Sequence, residues 1–471
     1  MQDYKKTKII ATIGPASDSS ERIGELIRSG VNIFRFNMKH ATMEWHAQRI
    51  KRVKKVADKM DLPVGVLVDL QGPEIRINTR DASEILIEKG QKIFFSDTFK
   101  DKKIQVVIPG KKFFEAIQVG DFFSIDDGSL EFVVTNIDGS VMIAKAEESG
   151  VVKNRKGINV PGKNINLPSL IPDDLKKLDM VAKNRVDFVA HSFSRTRKDI
   201  DILRKEMDKR KIKARIVAKI ENRQALNNLE ELIDAADAIM IARGDLGIEI
   251  PIEELTFSQK RIVAACRLAK KPVIVATQML QSMIRNPRPT RAEASDVSNA
   301  VYDRADAVML SEETSMGQYP VKAVQAMARI LKFNEHKQVG GKGLEKPKDL
   351  KQLIMCAANS IISDRHMSNV EGVVVFTETG YTARVLSSLH ARAAVVAVTD
   401  SKETYSSLVL SYGIIPIYIK KQIKTNESTR TIIEVLKKKN IIKVDQILLF
   451  IHGEHRKTLG PISSISLVKI R

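Results

Sequence analysis

Short apolar runs alternate along most of the chain with longer segments whose apolar positions recur at the helical period. Eight of these runs have the length and composition of parallel strands that are buried on both faces. They are Lys8–Ile13, Asn32–Asn37, Val64–Leu70, Asp187–Phe193, Arg215–Ile220, Ala238–Arg243, Pro272–Thr277 and Ala307–Ser311. Helical segments such as ERIGELIRSG and FSQKRIVAACRLAKK lie between them. The pattern therefore predicts a (β/α)₈ barrel, the TIM-barrel architecture.

The interval between the third and fourth predicted strands is far longer than the others. Short runs of alternating polarity, separated by Gly and Asp, fill it and predict a small antiparallel β-barrel domain. We assign this domain to residues 76–159 and the barrel to residues 1–75 and 160–335. Since the insertion follows a barrel strand, it leaves at the carboxyl ends of the strands, where such barrels place their active sites. It is therefore a candidate lid.

The last part of the chain, residues 336–471, begins with a lysine- and glycine-rich segment, KQVGGKGLEKPKD, that is typical of a linker. Helical and strand-like segments then alternate again, from LKQLIMCAANSIISD to ISLVKI. This alternation predicts a separate C-terminal α/β domain with an open sheet.

Composition and charge limit the classes of protein to which the chain can belong. The 471 residues are 43% hydrophobic and 28% charged, which is typical of a folded protein with a large core. No apolar run is long enough to cross a membrane, and no secretory signal is evident at the start. The two cysteines cannot form a disulfide framework, so we expect a cytoplasmic protein. The net charge of +20 either favours an anionic partner or reflects lysines spread over solvated faces.

Charged residues gather where the predicted barrel strands end, and parallel strands bring those ends to one rim. Glu221 and Asp245 follow adjacent strands and suit a hard divalent cation such as Mg²⁺ or Mn²⁺. Arg35 and Lys219 suit a phosphate or a developing oxyanion. Any one of these residues alone could simply cap a strand. Together they point to phosphoryl transfer.

Motifs along the whole chain now carry a resemblance. KTKIIATIGPAS, GVNIFRFNMKHA, QGPEIR, IDDG, KIEN, MIARGDLGIEIP, VATQMLQSM, PTRAEASDVSNAV and SEETSMGQYP occur in this order, and the chain thereby resembles the pyruvate kinase family. The resemblance implies transfer of the phosphoryl group of phosphoenolpyruvate to ADP, which gives pyruvate and ATP in the last step of glycolysis. It also implies Mg²⁺, K⁺ in many members, a homotetramer and control by a phosphorylated allosteric effector.

Matching motifs also imply roles for individual residues. Glu221 and Asp245 would hold Mg²⁺, while Arg35 and Lys219 would bind the transferring phosphoryl group and Lys219 would stabilise the enolate of pyruvate. The remaining implied sites are the substrate carboxylate site (Gly244, Asp245, Thr277), a proton relay (Thr277, Ser311, Glu313), the nucleotide site (Pro15, Asn37, His40, Arg76, Asp127, Lys156), a K⁺ site (Asn37, Asp69, Leu70) and an effector turn (Thr377, Thr379, Gly380, Thr382).

The chain departs from the family pattern beside the nucleotide. Lys39 stands where the family has a serine that ligates K⁺, and Gln71 stands where it has a lysine. An ammonium at Lys39 could replace K⁺ and pair with Asp69, or it could extend outward and leave a weakened K⁺ site. The effector turn could equally be an ordinary strand-to-helix turn.

Two functions of different classes follow from the sequence. The first is an active pyruvate kinase, which the intact set around Lys219 favours. The second is a weakly active relative that mainly binds nucleic acid or a membrane surface through its positive charge. We expect the first, with no membrane or nucleic-acid partner.

Overall fold

The computed structural model describes residues 4–126, 128–163, 165–337, 347, 350–363, 370–420, 428–456 and 460–471. Within these ranges no helix combines the length and the apolar character that crossing a membrane requires.

Eight parallel strands close into a barrel, and each of the predicted runs forms one of them. In chain order the strands are Lys8–Thr12, Ile33–Asn37, Gly65–Asp69, Phe188–His191, Arg215–Ile220, Ala238–Ala242, Val273–Ala276 and Ala307–Leu310. Alternate side chains face opposite ways. Ile10, Leu67 and Met240 therefore join the cluster that fills the barrel, while Ile9 and Val66 join the cluster beneath the helices. Both faces of each strand are buried, which explains the unbroken apolar runs.

Helices surround the barrel and begin at local capping signals. Thr42 caps the second helix by accepting a hydrogen bond from the backbone N–H of Trp45, and Thr290 forms a capping box with Glu293. The helices of this layer are Ser20–Ser29, Met43–Met60, Pro172–Ala182, Arg197–Lys209, Arg223–Asn227, Leu229–Ala235, Arg243–Glu249, Ile252–Ala269, Arg291–Asp303, Glu312–Ser315 and Pro320–Lys337, with a 3₁₀ turn at Gln281–Ile284.

The inserted segment forms a seven-stranded sheet and a separate two-stranded one. All of its strand pairs are antiparallel except Lys92–Ser96 with Val106–Val107. The other strands are Asn78–Thr79, Ile85–Ile87, Phe122–Ile125, Leu130–Asp138, Val141–Ala146, Gly150–Val152 and Ile158–Asn159, with a helix at Lys111–Ala116 and a 3₁₀ turn at Arg80–Ala82. Phe95, Phe123 and Phe132 pack together in its core.

The inserted domain contacts the rim of the barrel. Gly128 lies beside Ile248, since a Cβ at Gly128 would be 3.6 Å from Ile248 Cγ1. Glu249 accepts hydrogen bonds from Asn159 and from the backbone N–H of Gly162. The domain therefore touches the short helix that follows the sixth barrel strand, at the carboxyl end of the barrel.

The C-terminal domain is an open five-stranded sheet with helices. Its strand order is Ile414–Tyr418, Ala394–Thr399, Val370–Phe376, Ile447–Arg456 and Gly460–Lys469. The first four strands are parallel and the last is antiparallel. Its helices are Leu350–Ser363, Tyr381–Ser388, Lys402–Ser407 and Ser428–Lys438, with a 3₁₀ turn at Leu408–Leu410. The predicted linker lies almost wholly outside the described residues, and the limits of the three domains remain predictions.

Candidate active site

Lys219 lies at the centre of the charged cluster. It lies one residue before the end of the fifth barrel strand, and its buried Nζ atom lies 2.5 Å from Glu221 Oε1, 2.9 Å from Ser192 Oγ and 3.4 Å from Asp69 Oδ1. Burial alone would lower the pKa of Lys219, because it disfavours the charged form. The carboxylates of Asp69, Glu221 and Asp245 outweigh burial and hold its pKa above the ordinary value. Lys219 is therefore a buried, permanently positive group that faces the rim.

Arg35 stands beside Lys219 and is fixed by two neighbouring strands. Its Nε and Nη2 atoms lie 2.8 Å and 2.7 Å from Asp69 Oδ2, and Nη1 donates to Thr12 Oγ1 at 3.1 Å. Burial alone would raise the pKa of Asp69, but Lys219 and Arg35 hold it below its usual range. Asp69 thus joins the two cations that the sequence assigns to the phosphoryl group.

Glu221 and Asp245 fit a divalent cation. Burial raises the pKa of Glu221, and the nearby charge of Asp245 adds to this shift. The described residues contain no group of three or more metal-ligating His, Cys, Asp or Glu side chains. Two carboxylates from the protein are nevertheless enough for Mg²⁺, because this ion keeps several waters and takes further oxygens from a substrate. The donor set therefore agrees with the Mg²⁺ assignment.

Gly244 and Thr277 approach each other closely at the ends of the sixth and seventh strands. A Cβ at Gly244 would lie 2.8 Å from Thr277 Cγ2, so this position requires glycine. Thr277 has a φ of 75°, which is costly for a β-branched residue and is typical of functional sites. Arg243 holds this geometry, because it donates to the Thr277 carbonyl at 2.8 Å and pairs with Asp296 at 2.6 Å.

Glu313 is buried and anchors backbone rather than facing the cleft. Its Oε2 accepts the N–H of Ser311 at 2.7 Å, and its Oε1 accepts the N–H of Leu280 at 3.1 Å. Burial raises its pKa. Glu313 thus joins the end of the eighth strand to the loop after the seventh and fixes the position of Ser311.

Lys39 pairs with Glu74, a partner that the sequence did not predict for it. Its Nζ lies 3.4 Å from Glu74 Oε2 and 5.7 Å from the centre of the Phe193 ring. Arg76 Nη2 lies 3.0 Å from the same Glu74 oxygen. The expected direct pair with Asp69 is absent among the described ion pairs, since Asp69 holds Arg35 and Lys219. The charge of Lys39 still contributes to the low pKa of Asp69.

The structure describes four of the remaining nucleotide-side residues. Asn37 Oδ1 accepts the backbone N–H of Lys39 at 3.2 Å, and Lys156 pairs with Asp126 at 2.8 Å. Pro15 and His40 are exposed. Asp127, the predicted lid residue over the nucleotide, lies outside the described residues.

The predicted effector turn is ordered by its own hydroxyls. Thr377 Oγ1 accepts the N–H of Gly380 at 2.8 Å, and Thr379 Oγ1 accepts the N–H of Tyr381 at 3.4 Å. Gly380 has a φ of 80° and caps the helix Tyr381–Ser388, whose first turn contains Thr382. Sequence reasoning missed Arg384, whose Nη2 donates to the Thr379 carbonyl at 3.1 Å and adds a cation to the turn.

Sequence reasoning also missed Ser192 and Phe193, which follow the fourth strand. For Ser192 the available signal was a polar residue directly after a buried strand, as it was for Glu221. Phe193 lines a cleft of about 380 Å³ between the barrel and the inserted domain. Ser192 is its neighbour in the chain. Glu221, Asp245, Asn159 and Phe193 line this cleft, so it includes the two carboxylates that the sequence predicts as metal ligands.

The chain is similar to known proteins over most of its length. Residues 4–324 match the family model described as pyruvate kinase, barrel domain, and residues 353–468 match that described as pyruvate kinase, alpha/beta domain. Pyruvate kinases of Staphylococcus aureus strains MRSA252, USA300 and NCTC 8325 / PS 47 are each 38% identical over 429 residues, which is 90% of this chain and 73% of the relative. These matches favour the enzymatic interpretation of the sequence over the anion-binding one.

Proposed function

The chain belongs to the pyruvate kinase family, and from this premise we propose that its site transfers the phosphoryl group of phosphoenolpyruvate to ADP, giving pyruvate and ATP in the last step of glycolysis. The observation that carries the proposal is the position of Lys219 between Asp69 and Glu221, beside Arg35. Two buried cations and two metal-binding carboxylates converge at one rim, under a second domain that can exclude water.

The positive groups act on charge that moves during the reaction. The bond from phosphorus to the enol oxygen breaks, while a β-phosphate oxygen of ADP forms the new bond to phosphorus. Arg35 and Lys219 bind the phosphoryl oxygens, and Lys219 stabilises the negative charge left on the enol oxygen. Lys219 favours the transition state over the substrate, because this charge develops only as the bond breaks.

Glu221 and Asp245 are the residues that would hold Mg²⁺ or Mn²⁺. When bound there, the cation supplies positive charge to the phosphoryl and carboxylate oxygens of the substrate. Gly244 and Asp245 lie in the first turn of the short helix Arg243–Glu249, whose first backbone N–H groups have no intrahelical acceptor. We assign these N–H groups and the Thr277 hydroxyl to the substrate carboxylate.

The enolate must gain a proton at its methylene carbon to become pyruvate. We assign delivery of this proton to the hydroxyls of Thr277 and Ser311, linked by water. Glu313 supports this path by fixing the Ser311 backbone, rather than by contacting the substrate.

The K⁺ site that the resemblance implies loses one oxygen ligand in this chain, because Lys39 replaces the serine. Leu70 O accepts the Ser192 hydroxyl at 2.8 Å and Asn37 Oδ1 accepts the Lys39 N–H, and each of these oxygens keeps a second lone pair. Asp69 is neutralised by two cations. We therefore assign to Lys39 the positive charge that K⁺ provides elsewhere in the family, with Glu74 rather than Asp69 as its direct partner.

Three further properties are proposals that rest on the family resemblance. The effector turn with Arg384 would bind a phosphorylated effector. A homotetramer would bury exposed apolar side chains such as Ile252 and Phe257, which are 71% and 72% exposed. Cys266 and Cys356 are free thiols, which supports a reducing, cytoplasmic location.

A coupled assay for pyruvate tests the proposed activity. The purified chain, with phosphoenolpyruvate, ADP and Mg²⁺, should form pyruvate and ATP in equal amounts, and omitting ADP should stop both. Saturating substrate without pyruvate formation would instead support the weakly active, anion-binding alternative.

A further inference from the structure

Ser192 contacts Lys219 directly and has no assigned role. It follows the fourth strand and is 2% exposed. Its Oγ lies 2.9 Å from Lys219 Nζ and 2.8 Å from the carbonyl oxygen of Leu70. A hydroxyl has one hydrogen to donate. Asp69 Oδ1 also lies 3.4 Å from this Oγ, but the Leu70 carbonyl is closer, so the Ser192 hydrogen points to Leu70. The Lys219 ammonium can only donate, so a lone pair of the Ser192 hydroxyl faces it.

Ser192 is one of three partners of the ammonium. Lys219 Nζ lies 2.5 Å from Glu221, 2.9 Å from Ser192 and 3.4 Å from Asp69, and the contact with Asp69 is long enough to leave an N–H for the substrate. The two carboxylates attract the ammonium but also neutralise its field. Ser192 is the uncharged partner, so it fixes the direction of Nζ without reducing the positive charge that the substrate experiences.

The loop that carries Ser192 is held in an unusual conformation. The next residue, Phe193, has a φ of 55°, which is costly for a bulky residue. This conformation aims the Phe193 N–H at Glu221 Oε2, at 2.6 Å. Gly72 packs against the same loop so closely that a Cβ there would lie 2.8 Å from Phe193 Cδ2 and 3.0 Å from Ser192 Cβ.

We propose that Ser192 is a positioning residue for the reaction: its hydroxyl, oriented by the Leu70 carbonyl, holds the Lys219 ammonium in line with the enol oxygen, while the adjacent Phe193 N–H holds Glu221. This inference rests on the proposed function of the site. It predicts that losing the hydroxyl slows the chemical step more than it weakens substrate binding, since Lys219 acts on charge that develops in the transition state.

Three variants test the role of the hydroxyl. Ser192→Ala removes the acceptor and leaves a small void, whereas Ser192→Cys nearly fills the space but accepts hydrogen bonds only weakly. Ser194→Ala is the matched control, because Ser194 is equally buried two residues along and bonds to His191 rather than to Lys219. The rates and KM values are measured per folded protein, with folding checked by circular dichroism.

We expect kcat to fall about 10- to 100-fold in both Ser192 variants, the range for a hydrogen bond to a charged group. KM for phosphoenolpyruvate should stay within about threefold, and Ser194→Ala should keep most of its activity. A Cys variant with full activity would show that only packing matters. That result, or a rise in KM alone, would overturn the inference. If Ser192→Ala does not fold, the Cys variant carries the test. An inactive wild type would instead refute the proposed function itself.

Discussion

Lys39 Nζ lies 3.4 Å from Glu74 Oε2, so a lysine on the loop after the second barrel strand forms an ion pair with a glutamate on the loop after the third. Arg76 shares the same Glu74 oxygen, so the three side chains together keep a net positive charge near Asp69. The family resemblance expects K⁺ in this region. A second cation within about 4 Å of the ammonium would cost about 4 kcal/mol at an effective dielectric near 20, so we propose that this region holds one cation rather than two.

The wild-type enzyme should therefore need no added K⁺. In buffer free of Na⁺ and K⁺ its rate should be indifferent to added K⁺, and Lys39→Ser should become K⁺-activated because the site regains an oxygen ligand. Lys55→Ser, at an exposed lysine on the helix Met43–Met60, is the matched control and should remain indifferent. Strong K⁺ activation of the wild type would contradict the assignment.

Lys219→Met should abolish detectable turnover while leaving a folded protein. Removing one group that stabilises a developing anion typically lowers the rate by about 10²- to 10³-fold. The loss also frees Glu221 Oε1 from its 2.5 Å contact, so Mn²⁺ should bind at least as tightly as in the wild type. Kinetics and Mn²⁺ titration followed by electron paramagnetic resonance check the two expectations. If the variant kept most of its kcat, Lys219 would not be the group that stabilises the enolate.

The barrel could be predicted from the sequence because parallel strands buried on both faces leave a strong signal. The fifth strand was predicted with its observed ends, Arg215 and Ile220. The fourth ends at His191 rather than Phe193, because Phe193 turns into a left-handed conformation to face Glu221. The pattern of apolar residues indicates which residues are buried. It does not indicate at which residue the backbone stops being extended.

The site could be predicted only in part, for a related reason. Charged residues at strand ends identified Arg35, Lys219, Glu221 and Asp245, since parallel strands bring their ends together. The partner of Lys39 could not be predicted, because it depends on how two loops from different strands pack. Ser192 was missed since a serine has no charge to mark it, although its contact with Lys219 is as close as that of a charged residue.

Protein stability should increase with pH above 7 because of a buried lysine. Lys8 donates to the Ile414 carbonyl at 2.6 Å and to the Tyr4 hydroxyl at 3.0 Å. Burial lowers the pKa of Lys8 to about 7, despite opposing charge from Glu335 and Asp306. An unfolded lysine keeps its proton up to about pH 10.4. Between pH 7 and about pH 10.4, unfolding therefore takes up a proton. The free energy of unfolding thus falls as the pH decreases towards 7, by at most about 1.4 kcal/mol per pH unit.

Lys8→Met should remove this contribution. Its melting temperature relative to the wild type should be highest near pH 7 and should fall as pH rises to 9. Lys5, whose pKa burial also lowers to about 7, will leave some slope in the variant. Lys55→Met serves as the exposed control, with a constant difference expected. A Lys8→Met difference that does not change with pH would show that Lys8 stays charged in the folded protein.

A phosphorylated effector should bind the turn after the first strand of the C-terminal domain. Sugar phosphates and nucleoside monophosphates are the compounds to titrate, with the phosphoenolpyruvate saturation curve as the readout. Arg384→Gln should weaken the response about tenfold, as expected for loss of a charge-assisted contact, without changing effector-free turnover. Arg430→Gln, at an exposed arginine elsewhere in the domain, is the control. If no compound binds or shifts the curve, the turn has only a structural role.

Two glycines on one short helix should respond oppositely to alanine. At Gly244 the added Cβ would lie 2.8 Å from Thr277 Cγ2, so Thr277 must move out of its strained conformation. At Gly247 the added Cβ would meet Leu255 Cδ2 at 3.6 Å, an ordinary contact. Gly244→Ala should therefore lower kcat/KM for phosphoenolpyruvate about 100-fold, as a misplacement of about 1 Å can. Gly247→Ala should keep its activity and gain up to about 1 kcal/mol of stability. Equal activity in the two variants would show that Thr277 tolerates displacement and does not position the substrate.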